Sequence, residues 1–192
     1  MPELVLESSR MRLRLMTGDD WALYSGYYTS AEVMRHIVEP MSEGQARTAF
    51  ARVCKANAGG KGAYVAWVCV EKGTGAAIGM SALMLEGGVG EVGTIISDGW
   101  HSKGLGAEAT AAIAGYALQR PDVQVVMTRH RVGNTAAEGL MAKLDFIKEA
   151  EPRGDGLQYW LLNKQAGSHV PTHGLTSEER FLTQWADTGI SP

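Results

Sequence analysis

Residues 91–118, EVGTIISDGWHSKGLGAEATAAIAGYAL, constrain the fold more than any other stretch. An apolar run from Val92 to Ile96 breaks at Ser97-Asp98-Gly99. A glycine-rich turn, His101-Ser102-Lys103-Gly104-Leu105-Gly106, follows, and then an Ala-rich helical pattern runs to Leu118. A strand that feeds a helix through a glycine loop brings the helix's unpaired N–H groups and the positive end of its dipole to one point, which makes an anion site. Glycines at 104 and 106 remove Cβ atoms, so a phosphate can approach the backbone. A nucleotide-triphosphate loop would need Gly-Lys followed by Ser or Thr, whereas Lys103 precedes Gly104 here. The dinucleotide fingerprint is less firmly excluded. Ala109 stands where its third small residue would sit, but that pattern also needs an acid about twenty positions on inside a parallel unit.

The remaining chain reads as alternating short elements. Arg10 to Met16 alternates basic and apolar residues, the period of a half-buried strand. Thr17-Gly18-Asp19-Asp20 offers helix caps before Trp21, Leu23 and Tyr24, and a second helix is expected from Ser42 with an Ala46, Ala49, Phe50, Val53 stripe. Asn57 to Gly62 reads as a loop. Tyr64–Val70 and Ala76–Leu85 read as a hairpin, and Glu86 to Gly90 as a flexible turn. Val123 to His130 is a second buried strand, Gly133-Asn134 a turn that leads into Thr135 to Phe146, and Phe146–Glu149 and Leu157–Leu162 the last strands. The stretch after Lys164 is polar and turn-rich, with a short helix carrying Leu175, Phe181, Leu182 and Trp185. Residues 1–164 are therefore expected to form one α+β domain, with 165–192 as a C-terminal extension that packs on the domain or on a dimer mate.

Composition narrows the function classes. A net charge of −3 with no dense basic run argues against nucleic acid as the main partner. Cys54 and Cys69 are too few for a disulfide framework and lack zinc-ligand spacing, so no metal is expected. No apolar run approaches membrane length and no leader pattern is visible, so a reduced, cytoplasmic setting is the expectation.

Taken together, the Gly104–Gly106 loop, Asn134 at the head of its helix, Lys143-Leu144-Asp145-Phe146 and the opening Arg10-Met11-Arg12-Leu13-Arg14-Leu15 resemble the GCN5-related N-acetyltransferases, in particular their RimJ/RimL-like and spermidine-type members. His101 stands where that family has Gln or Arg. The resemblance covers roughly residues 9–163. It implies the family fold, a mixed, mostly antiparallel and splayed central sheet flanked by helices. It also implies acetyl-CoA as cosubstrate, with its pyrophosphate on the N–H groups from Ser102 to Ala107. Ile95 and Ile96 would pair with the pantetheine amides next to Ser97, and Asn134 would hydrogen-bond the pantetheine arm. Lys103 and Lys143 are the candidate cations.

The implied reaction moves an acetyl group from acetyl-CoA to a primary amine by direct attack, with no acyl-enzyme. The amine must first lose its proton. Glu91, where family members place a glutamate, is the first candidate base, and a partly enclosed carboxylate suits the task. His130, at the end of a strand near the cleft, is the rival, since an imidazole titrates near neutrality. The usual proton donors are missing, for Ala137 and Met141 occupy their positions, which leaves water, Tyr116 or Tyr159. The acceptor is a protein N-terminus, a polyamine or an amine-bearing small molecule. The contrasting class is a non-catalytic acyl-CoA-binding or regulatory module.

Overall fold

A computed structural model of the protein describes residues 4–35, 37–59, 63–151 and 153–164. The expected C-terminal helix lies outside the described residues. In chain order the elements are β1 (Leu6–Glu7), β2 (Met11–Leu15), a 3-10 turn (Gly18–Asp20), α1 (Trp21–Tyr28), α2 (Ala31–Met34), α3 (Glu43–Gly59), β3 (Tyr64–Glu71), β4 (Ala77–Glu86) and β5 (Val89–Ile96). A second 3-10 turn (Asp98–Trp100) leads to α4 (Leu105–Gln119), β6 (Val125–Arg131), α5 (Thr135–Lys143), β7 (Ile147–Lys148) and β8 (Leu157–Asn163).

The strands form one sheet in the order β1-β2-β3-β4-β5-β6-β8-β7. Every pairing is antiparallel except β5 with β6. That fits the expected mixed, mostly antiparallel sheet. Side chains alternate between its faces, and each face has its own core. On one side Trp67, Leu83, Val92 and Val126 pack against Leu105, Ala109, Ile113 and Ala117 of α4 and Met141 of α5. On the other, Ala66, Val68 and Met80 pack against Tyr24, Tyr27 and Tyr28 of α1 and Ala46, Ala49, Phe50 and Val53 of α3.

Local chemistry fixes the element ends. Ser42 and Gln45 form a reciprocal capping box at the head of α3: Ser42 N donates to Gln45 Oε1 (2.8 Å) and Gln45 N to Ser42 Oγ (3.3 Å). That helix runs to Gly59, so the loop expected from Asn57 begins later. The Asn57 amide explains the extension. It donates to the carbonyls of Met16 (2.8 Å) and Ala66 (2.9 Å) and accepts from Ala66 N (3.0 Å), tying the last helical turn to β3. The expected flexible turn at 86–90 is instead a tight two-residue connection, Gly87-Gly88, with both glycines at positive φ. Gly90 already belongs to β5, where a Cβ would stand 3.2 Å from Leu83 and 3.4 Å from Ala117.

Candidate active site

The site begins where a ladder stops. β5 and β6 are paired only from Val89↔Val125 to Glu91↔Met127, although both continue for several residues. Beyond Glu91 the strands part. Pairing with β4 alternates along β5: Ser97 N bonds Ile78 O (2.8 Å), and Val89 closes the tight hairpin opposite Glu86. The odd-numbered residues of β5 therefore turn their peptide groups to β4. Those of Thr94 and Ile96 face the opening. Ile95, expected from the sequence to line the opening, has its peptide groups turned to β4, whereas those of Thr94 face the gap. Five residue steps at about 3.3 Å separate Glu91 from Ile96, so the opening suits an elongated ligand.

At the far end of the opening lies the glycine loop. Ser102 (φ 60°) and Gly104 (φ 77°) are both left-handed. The first bond of α4 runs from Glu108 N to Gly104 O (3.1 Å), and no side chain caps this end. The N–H groups of Leu105, Gly106 and Ala107 thus point from the helix start with its dipole behind them. The two glycines have different jobs. Gly104 supplies the left-handed turn, whereas Gly106 makes room for α5, since a Cβ there would lie 3.2 Å from Leu140 Cδ1.

The loop is braced on all sides. His101 Nε2 reaches Ile96 O at 2.6 Å, so the residue at the family's Gln/Arg position clamps the carbonyl that ends β5. Lys103 turns back along the loop, donating to Gly99 O (3.0 Å) with its ammonium 4.5 Å from the Trp100 ring centroid. Arg10 donates to Lys103 O (2.9 Å) and pairs with Glu108 (3.3 Å), which Ser8 and Ser9 also bind. Burial opposes the Glu108 charge, but these donors outweigh it and hold the carboxyl below its ordinary 4.5. Ser97 shares a 2.6 Å hydrogen bond with the Tyr27 hydroxyl, which joins α1 to the end of β5; burial raises that phenol's pKa. Behind the opening, Ser81 and Thr110 both bind Thr94 Oγ1, at 2.7 and 3.1 Å.

Glu91 stands at the near end, on the α1–α3 side of the sheet. Arg129 Nε donates to its Oε1 at 2.9 Å, with the Arg129 side chain only 8% and the Glu91 side chain 18% exposed. His130 lies on the opposite face. Trp160 Nε1 donates to its Nε2 (3.0 Å); the indole can only donate, so Nδ1 carries the proton and gives it to Arg131 O (2.9 Å). The fold thus brings Glu91 to the opening and keeps His130 behind it, with both ring nitrogens engaged. Asn134 caps α5, accepting from Ala137 N at 3.2 Å. It lies at the same end of the parallel pair as the glycine loop. Lys143 is exposed in the last turn of α5, where a cation complements the dipole. Met141 is buried in the core. Tyr116 packs edge-on against Trp67, and Tyr159 donates its hydroxyl proton to Asp155 (2.6 Å). Arg129, Tyr27 and Thr94 carry no local signal in the sequence that marks them for the site. The alternation that sets Glu91 and Arg129 on one face was visible, but not which strands would be neighbours.

Open helix amides, a parted parallel pair and a carboxylate at its apex thus sit along one gap in a mixed sheet. The chain belongs to the GNAT acetyltransferase family: residues 10–147 match the family's model for the acetyltransferase (GNAT) domain. Acetyl-CoA is the cosubstrate of this family. No curated protein sequence matches the chain. Among solved structures it is similar to an acetyltransferase from Agrobacterium tumefaciens, at TM-score 0.72 and 18% identity over 85% of this chain and 96% of that one. It is similar also to ribosomal-protein-S5-alanine acetyltransferase from Vibrio fischeri, at TM-score 0.70 and 15% identity over 87% and 100%. A third is spermidine N-acetyltransferase from Vibrio cholerae, in complex with CoA and spermine, at TM-score 0.68 and 15% identity over 82% and 97%. No described helix is long and apolar enough to cross a membrane.

Proposed function

We propose that this protein transfers the acetyl group of acetyl-CoA to a primary amine, with Glu91 accepting the proton that the amine must lose. The observation that carries the reading is the end of β5–β6 pairing at Glu91↔Met127, which opens a channel between a shielded carboxylate and unpaired helix amides. The amides of Leu105, Gly106 and Ala107 would hold the diphosphate, with Ser102 and Gly104 shaping the turn. Thr94 and Ile96 would meet the pantetheine arm beside Ser97 and Asn134. Acetyl-CoA supplies an activated acyl group, so direct transfer in a ternary complex requires no nucleophilic Ser or Cys. Glu91 suits the proton-accepting role because Arg129 occupies only Oε1. Oε2 remains for the acceptor, directly or through one water. The acceptor is a protein N-terminus, a polyamine or another amine-bearing small molecule, and the names of the S5-alanine and spermidine enzymes span the first two.

One observation favours a second reading, an acyl-CoA-binding module without turnover. Ala137 carries no donor, and Met141 is 6% exposed in the core. A single assay separates the two: thiol release from acetyl-CoA across peptide N-termini, polyamines and small amines. Acceptor-dependent release supports the transferase. CoA binding with no release across the panel would favour the module.

A further inference from the structure

The Glu91–Arg129 pair does not end at Arg129. Arg129 Nη1 donates to the Tyr159 hydroxyl oxygen (3.2 Å), and that hydroxyl donates to Asp155 Oδ2 (2.6 Å). Asp155 is itself fixed, because its Oδ1 accepts Leu157 N at 3.0 Å. β6 and β8 set Arg129 directly opposite Tyr159. The Tyr159 ring is fully buried, and Arg153 lies 4.1 Å from its centroid while gripping Glu149 through Nε and Nη2 (2.8 and 2.5 Å). The side-chain donors run outward from Arg129, to Glu91 on one side and through Tyr159 to Asp155 on the other.

We infer that Tyr159 and Asp155 are positioning residues: acting through Arg129, they fix the Glu91 carboxylate at the mouth of the channel. The inference rests on the reading of Glu91 as the base. A guanidinium is planar, and holding it at both Nε and Nη1 removes its freedom to pivot. Glu91 Oε1 is then located by a strand on the far side of β6, and Oε2 is presented at a constant angle. Tyr159 cannot serve as the missing proton donor in this arrangement, because its hydrogen is committed to Asp155 and its oxygen to Arg129. Without the hydroxyl, Arg129 loses its Nη1 anchor on β8, and the carboxylate it holds acquires slack. Misplacement of a catalytic group by a fraction of an ångström to 1 Å costs roughly ten- to a hundredfold in rate.

The test is a cycle of variants in the full chain, with kcat, acetyl-CoA KM and calorimetric CoA affinity as readouts. Tyr159→Phe should lower kcat by about tenfold, leave CoA affinity within about twofold, and have no further effect on turnover in a Glu91→Gln background. Asp155→Asn, a change in a half-buried bend, should follow the same pattern with a smaller loss, and it carries the test if Tyr159→Phe does not fold. Unchanged kcat in either folded variant, or the same proportional loss with and without Glu91, overturns the positioning role. The two readings fail separately. If Glu91→Gln slows turnover while Tyr159→Phe does not, only the positioning role falls; if Glu91→Gln has no effect, the base assignment falls and takes the positioning role with it.

Discussion

Replacing Gly104 and Gly106 by alanine, one at a time, separates two functions that a single short motif performs. At Gly104 the backbone is left-handed (φ 77°), a conformation that costs an L-residue about 1–2 kcal/mol. A Cβ there would also come within 3.4 Å of Arg10 Nη2, an ordinary contact, so conformation alone sets the penalty. Gly106 sits in the first turn of α4, where alanine gains roughly 0.5–1 kcal/mol of helix propensity. Against that gain stands a 3.2 Å approach to Leu140 Cδ1, the far end of a flexible side chain that can shift by a few tenths of an ångström. Gly104→Ala should therefore lose about 1–2 kcal/mol, and Gly106→Ala should lie within about 0.5 kcal/mol of the parent. Urea unfolding with linear extrapolation reads both, and the m-value should not change. Equal losses, or a larger loss at 106, would refute the division of labour. It would mean that the α4–α5 contact, and not the loop conformation, makes this motif demand glycine.

Three further outcomes follow from particular contacts. Glu91→Gln should lower kcat by roughly 10²–10⁴, the usual worth of a positioned base, while leaving CoA affinity nearly intact; equal turnover at every pH would remove Glu91 from the mechanism. Asp20 is buried and takes both terminal nitrogens of Arg14 (2.8 and 2.6 Å) and Thr17 N (2.8 Å). Burial works against its charge, yet those donors prevail and hold its pKa below the ordinary 3.8. A depressed carboxyl pKa contributes stability that is complete above the unfolded value and lost as pH falls through the folded one, so acid unfolding measured below that ordinary value should be less steep in Asp20→Asn than in the parent. Asn57→Ala should cost about 2 kcal/mol in chemical denaturation, because the Met16 and Ala66 backbone groups lose their partner; a loss under about 0.5 kcal/mol would show that the end of α3 is held by other contacts.

Much of this fold was legible because its strongest signals are local. The strand, glycine loop and Ala-rich helix over 91–118 sit where their residues place them, and the Tyr64–Leu85 hairpin differs by a residue or two. The misreadings share a cause, tertiary contacts that override local preference. Asn57 reads as a loop residue, yet its amide satisfies β3 from inside a helix. Three glycines between 87 and 90 read as slack, yet Gly90 is in a strand pressed against Leu83 and Ala117. At the site, Glu91 was legible, but its partner was not, since Arg129 is 38 positions away on a strand whose register only the fold reveals. The choice of Thr94 over Ile95 turns on strand parity, which is set by the Gly87-Gly88 turn and not by the apolar run itself. His130 shows the converse. Its sequence position suggests chemistry, and its surroundings, Trp160 and the Arg131 carbonyl, occupy both nitrogens.

The most direct test of the channel is a CoA titration followed by backbone amide NMR. The amides of Gly104, Leu105, Gly106 and Ala107 should shift most, with Thr94 and Ile96 following and Ile95 nearly still. Shifts confined to other surfaces, or saturation with residues 104–107 unmoved, would show that the ligand does not lie between the parted strands.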